Sequence, residues 1–320
     1  MPLTFDLPLD ELRVYQGVNP RPDDFDAYWD RALAELAAVK PEIELIPAEF
    51  QAPYADCSHL YFTGVKGARI HAQLVRPRHQ QGANPAVLMF HGYSNNAGDW
   101  VTKLSYAAMG FTVAALDCRG QGGLSQDAGD RPGTTWHGHI IRGLEGAPED
   151  LMFRDIFLDT ARLAQIVMDL PHVDPGRVGA TGGSQGGGLT LACAALVPQI
   201  QRAAPIFPFL CDYKRVWDID LDTGAYAELR DYFRWRDPRH ERELEVFTRL
   251  GYIDVQHLCP RIGGEVYMAV GLRDQVCPPS TQFAAYNKIR AKKSMALYPD
   301  FAHEELRGHA DRVFGFLSQL

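Results

Sequence analysis

The chain has 320 residues, of which 46% are apolar and 22% charged, with a formal net charge of −8. That length allows a large domain with a substantial core, and the balance is that of an ordinary globular protein. The net acidity argues against nucleic acid or an anionic membrane as partner, and no stretch nears the roughly eighteen apolar residues of a membrane span.

The first residues, MPLTFDLPLDELRVYQGVNP, carry neither a basic nor an apolar leader segment. Asp23 to Lys40 opens with acids and then spaces apolar residues helically, so it is expected to form a helix within an N-terminal extension of about 1–45. SHLYFTGV and RIHAQLVRP, joined by Lys66-Gly67-Ala68, read as an antiparallel hairpin. AVLMF (86–90) and FTVAALD (111–117) follow as buried strands, with a helix near Leu104 to Met109 between them. A long helix is expected over Glu149 to Leu170, then a strand in RVGATG (177–182). Further strands are expected in RAAPIFP, EVYMAVG and KSMALYP. Strands alternating with helices predict a mostly parallel sheet with helices on both faces. Phe209 to Gly263 interrupts this rhythm with charged, aromatic-rich helical stretches and reads as an insertion ahead of EVYMAVG. The six cysteines, Cys57, Cys118, Cys193, Cys211, Cys259 and Cys277, are scattered without a CxxC pair. The expectation is reduced, buried thiols in a cytoplasmic protein.

Gly182-Gly183-Ser184-Gln185-Gly186 fits G-x-S-x-G, and it has the required context of a strand before and a helix after. In that context the glycines permit a strained strand-to-helix turn that presents Ser184 as a nucleophile. This predicts an α/β-hydrolase fold over the whole chain, with partners in the order Ser, Asp or Glu, His on loops after later strands. Asp274 follows EVYMAVG and His303 follows KSMALYP. Asp254 and Asp300 are rivals for the acid, but neither directly follows the penultimate strand. His309 is a rival for the base, placed two turns into an expected final helix. Oxyanion donors are expected from the main-chain N–H of Gln185 and from the loop His91-Gly92-Tyr93, where Tyr93 would supply the second. His91 itself reads as structural. His137-Gly138-His139 lacks a third ligand at useful spacing and reads as a structural loop. Cys277 reads as a small buried residue beside the acid. The mechanism these residues suggest calls for no metal or organic cofactor.

Beyond the triad, FDLPLDELRVYQGVNPRPDDFDAYWD, DCRGQGG, GGSQGGG, GLRDQVCPPSTQFAAYNKI and YPDFAHE run almost end to end through the chain. On these segments it resembles the acetyl xylan esterase / cephalosporin C deacetylase family, carbohydrate esterase family 7. The resemblance implies Ser184, Asp274 and His303 as the triad, with Tyr93 and Gln185 as oxyanion donors. It assigns Arg119-Gly120-Gln121 to supporting the site's architecture. It further implies an intracellular homohexamer with active sites facing an interior cavity, acting on small acetylated sugars and on cephalosporin C. The insertion at about 209–263 would contribute to the hexamer contacts. A general short-chain carboxylesterase, a peptidase and a non-catalytic hydrolase-like scaffold are the competing readings.

Overall fold

A computed structural model describes residues 5–79, 82–127 and 135–320. Its strands are β1 (Glu44–Pro47), β2 (Ala55–Thr63), β3 (Arg69–Pro77), β4 (Asn84–Phe90), β5 (Thr112–Leu116), β6 (Val173–Gly183), β7 (Arg202–Ile206), β8 (Glu265–Gly271) and β9 (Lys293–Tyr298). They lie in one sheet in the order β1-β2-β3-β5-β4-β6-β7-β8-β9. β1, β2, β3 and β5 pair antiparallel, and β5, β4, β6, β7, β8 and β9 pair parallel. With helices on both faces, this is the expected α/β-hydrolase fold.

The expected hairpin forms, with Thr63 opposite Arg69 and the turn closed by Lys66 and Gly67 at positive φ. β1 has no counterpart in the sequence reading. All four of its residues are exposed and it pairs only with β2 at the sheet edge, so no buried face imposes an alternating pattern on it.

Along the inner strands, consecutive side chains enter opposite cores. Leu74, Leu88, Ala114 and Leu116 join the core beneath the helices Phe25–Ala38, Met152–Met168 and Gln185–Leu196. Val75, Val87 and Val113 join a smaller core with Tyr106, Ala107, Val313 and Leu317. That is the period-two geometry of a strand covered on both sides.

Between β7 and β8 lie the helices Tyr213–Asp218, Ala227–Arg236, Glu243–Leu250 and Val255–Leu258, with no strand among the described residues. Their Tyr213, Phe233 and Phe247 belong to the same core as Trp29 and Phe25 of the N-terminal extension. Trp29 Nε1 donates to the Tyr252 carbonyl at 3.0 Å, and Tyr15 Oη donates to Asp212 at 2.8 Å. Extension and insertion therefore brace each other, which holds helix Ala227–Arg236 beside the loops that leave β4 and β5.

Candidate active site

β6 ends at Gly183 and a helix starts at Gln185, which leaves one residue for the reversal. Ser184 takes it at φ 58°, ψ −120°, a conformation that costs a non-glycine residue on the order of 1–3 kcal/mol. The surroundings hold it there. Ser184 N–H donates to the Ile206 carbonyl at 3.0 Å, and its own carbonyl accepts from Phe209 at 3.0 Å and Gly188 at 3.1 Å. A Cβ on Gly182 would lie 2.5 Å from the Phe90 carbonyl oxygen, and one on Gly186 would collide with that same oxygen. Glycine at both positions lets the turn close against the end of β4.

The strand ends then bring three side chains into line. His303 Nε2 is 3.0 Å from Ser184 Oγ, and His303 Nδ1 is 2.8 Å from Asp274 Oδ2. A carboxylate only accepts, so Nδ1 carries the proton and Nε2 is free to accept from the serine. Asp274 is fully buried, and its other oxygen accepts from the N–H groups of Val276 at 2.9 Å and Cys277 at 2.8 Å. His303 remains partly exposed and packs against the Phe207 ring.

The rivals lie elsewhere. Asp254 caps helix Val255–Leu258 and accepts from Asp212 N–H at 3.0 Å. Burial, reinforced by Asp212, pushes its carboxyl up to about 7. Asp300 is exposed. His309 is the first residue of helix His309–Leu317, not two turns into it. Gly308 at φ 73° ends the preceding turn in a left-handed conformation, which a helix cannot continue through. The His309 ring is 3.2 Å from Tyr298 Oη, and burial drives its pKa down to about 4.

Gln185 opens a helix and Tyr93 sits on a loop, and one side chain ties the two together. Gln121 and Gln185 form a head-to-tail amide pair, with Nε2 to Oε1 distances of 2.8 and 3.1 Å. Gln121 Oε1 also accepts from Ser94 N–H at 2.9 Å. Neither the Tyr93 nor the Gln185 main-chain N–H is taken by an acceptor among the described residues. Gly120 turns the chain at φ +66°, and Arg119 beside it is fully buried. Arg119 grips Asp159 of helix Met152–Met168 with two bonds, at 2.7 and 2.6 Å, and reaches Val65 in the β2–β3 turn. Even so, burial pushes the Asp159 carboxyl up to about 6, so the pair is held against a strong desolvation cost.

His91 behaves as a structural residue. Nδ1 donates to the Gly92 carbonyl at 2.7 Å, Nε2 accepts from Cys118 N–H at 3.0 Å, and burial lowers its pKa. All six cysteines are free and buried, and burial raises the Cys277 thiol, with Asp274 adding to the effect. The group of possible metal ligands found among the described residues is Asp274, Cys277 and His303, whose ligand atoms lie within 4.8 Å of one another. His139 binds Thr135 Oγ1 at 2.9 Å and is pushed down to about 4 by burial.

One residue of the site was missed from sequence. Glu228, on the insertion helix Ala227–Arg236, is buried and accepts the Tyr93 hydroxyl. Its second oxygen accepts from the N–H groups of Ile140 at 2.7 Å and Ile141 at 3.2 Å, and His139 N–H donates to Tyr93 Oη at 3.1 Å. Burial raises this carboxyl, while the Tyr93 hydroxyl and the loop N–H groups pull the other way. The available signal was a carboxylate one helical turn before the buried Tyr232, in line with the helix's apolar stripe.

The acetyl xylan esterase (AXE1) family model matches residues 1–320. The chain is similar to the solved acetyl xylan esterase 1 from Thermoanaerobacterium sp. JW/SL YS485, with 59% identity, a TM-score of 0.96, and coverage of 98% of this chain and 99% of that one. It is similar to the acetyl xylan esterase from Paenibacillus sp. R4, with 34% identity, a TM-score of 0.91 and the same coverage. Among curated proteins, acetyl esterase Axe7A of Xylanibacter ruminicola is 27% identical over 295 residues, or 88% of this chain. The chain spans 63% of that relative's length.

Proposed function

The chain belongs to the acetyl xylan esterase family, and from that premise we propose that it is a serine esterase acting through an acetyl-enzyme. Its substrates are small acetylated sugars, acetylated xylo-oligosaccharides among them, and cephalosporin C. The observation that carries this reading is the hydrogen-bonded line Ser184–His303–Asp274, at 3.0 and 2.8 Å, at the carboxyl ends of the parallel strands.

In the proposed reaction Ser184 Oγ attacks the acetyl carbonyl as His303 Nε2 takes its proton. Asp274 fixes the tautomer and stabilises the imidazolium. The N–H groups of Gln185 and Tyr93 receive the developing oxyanion, a contribution worth on the order of 10²–10³ in rate per donor in comparable sites. His303 then protonates the departing sugar alcohol, which would otherwise leave as a poor alkoxide. Water attacks the acetyl-enzyme with His303 again as base, releasing acetate and restoring Ser184. Arg119, Gly120 and Gln121 support the two donor segments without touching the substrate.

We further propose that residues 1–320 act as one catalytic unit within a cytoplasmic homohexamer. Six free, buried cysteines suit a reducing compartment. The exposed edge strand β1, with Leu45, Ile46 and neighbouring Ile43 in solvent, suits burial against a second copy. A monomer in light scattering at micromolar concentration would remove the assembly.

The activity is tested by acetate release from acetylated xylo-oligosaccharides, with wild type beside Ser184→Ala. The wild type should deacetylate them and the variant should not. Retained esterase activity in Ser184→Ala would overturn the assignment. Equal rates on acetyl, butyryl and octanoyl esters of one alcohol would overturn the acetyl preference.

A further inference from the structure

A cavity of about 650 Å³ opens between residues 135–146 and helix Ala227–Arg236. That volume suits a small ligand. Its lining includes His137, Arg142, Glu145, Asp231, Tyr232 and Trp235. Trp235 is 80% exposed and stacks on no other ring among the described residues. A tryptophan left in water inside a concavity is a binding face rather than core. The charged groups around it are of both signs, two arginines against two carboxylates, so the cleft suits a neutral polyol better than an ion. Planar guanidinium and carboxylate groups match pairs of hydroxyls, and the indole face matches the C–H face of a sugar ring. One wall is organised in advance, because the buried Tyr232 hydroxyl is held by Glu145.

The cleft is also joined to the proposed catalytic centre. Glu228, Tyr232 and Trp235 follow one another at i, i+4 and i+7 on a single helix face. Glu228 holds Tyr93, and of the two N–H groups it also holds, those of Ile140 and Ile141, the second belongs to the opposite wall of the cleft. The His137 ring lies 6.5 Å from that of Tyr93. Seven residue steps lead from Glu228 to Trp235, about 10 Å along the axis. A chain with its reacting end at the catalytic centre and its far end on Trp235 would therefore be longer than one sugar ring.

We propose that this cleft is a sugar-binding subsite for the unreacted end of an acetylated xylo-oligosaccharide, with Trp235 as its platform. The proposal rests on the esterase reading above for the identity of the chain it binds. It makes substrate length, and not only the acetyl group, a determinant of turnover.

The test uses full-length protein carrying Ser184→Ala and the unacetylated probe xylotetraose, followed by calorimetry and tryptophan fluorescence. Saturable binding is expected with Kd on the order of 1 mM. Adding Trp235→Ala should weaken it roughly tenfold, and Trp235→Phe should restore most of the affinity. In the active enzyme, Trp235→Ala should lower kcat/KM for acetylated xylotetraose relative to 4-nitrophenyl acetate by a similar factor. Absence of xylotetraose binding, or binding and a substrate ratio both unmoved by Trp235→Ala, would overturn the subsite. The binding arm needs no catalysis, so a wild type that fails to deacetylate sugars would refute the esterase reading and leave the subsite to be decided by binding.

Discussion

At the turn carrying Ser184 the main chain itself sets the geometry, through a strained φ, three backbone hydrogen bonds, and glycines where a Cβ would strike the end of β4. The loop carrying Tyr93 is set by side chains from far away in sequence. Gln121 holds it from after β5, and Glu228 holds it from the insertion. The first arrangement is written in five consecutive residues. The second is written in pairs separated by 27 and 135 positions. Two donors proposed to serve one oxyanion are thus fixed by unlike means, so the two halves should fail in unlike ways when altered.

The largest effect is expected on the main-chain side. Gly186→Ala forces a methyl group against the Phe90 carbonyl, so either the helix start or the end of β4 must shift. Since the Gln185 N–H moves with that helix start, kcat should fall on the order of 10³-fold, with a lower melting temperature. Near-normal kcat in Gly186→Ala would show that the glycines do not set the turn.

An intermediate effect is expected where the halves meet. Gln121→Ala removes the partner of the Gln185 amide and of Ser94 N–H together, leaving buried polar groups unpaired. A loss of roughly 10–100-fold in kcat is expected, with about 1–3 kcal/mol of stability. Steady-state kinetics beside chemical denaturation checks both, and Gln121→Glu should not rescue the amide pair.

The smallest effect is expected on the side-chain half. Glu228→Gln keeps the shape but weakens the acceptor for the Tyr93 hydroxyl and turns an amide N–H₂ toward the cluster. Roughly tenfold is expected in kcat with KM for a small acetate ester little changed, and Glu228→Asp should recover less than half of it. If Glu228→Gln matched Gly186→Ala in its loss of kcat, the distinction between the two halves would be wrong.

The same contrast explains what could be read from the sequence. The hairpin, the parallel strands, the long helix and the G-x-S-x-G turn are local patterns of burial or backbone need, and each lies where the reading put it. Asp274 and His303 could be placed in line with Ser184 from the sequence because strand ends are local features and the fold orders them. β1 was missed because an exposed edge strand carries no apolar period. The start of the last helix was misplaced by the turn at Gly308, whose positive φ looks like any other glycine in the sequence. Glu228 and the Trp235 cleft were missed because their neighbours arrive from loops far away in sequence, 88 and 135 positions from Glu228 for Ile140 and Tyr93. Glu228 stands in line with the apolar stripe of its helix, but neither that position nor a lone tryptophan says which distant loop it meets until the chain is folded.

The central claim is that Ser184, activated by His303 and Asp274, becomes acylated. Labelling the full-length protein with a fluorophosphonate probe, followed by peptide mapping by mass spectrometry, tests it directly. The account predicts one stoichiometric adduct on Ser184, strongly reduced in His303→Ala. An adduct on another residue, or an unlabelled but folded protein, would contradict it.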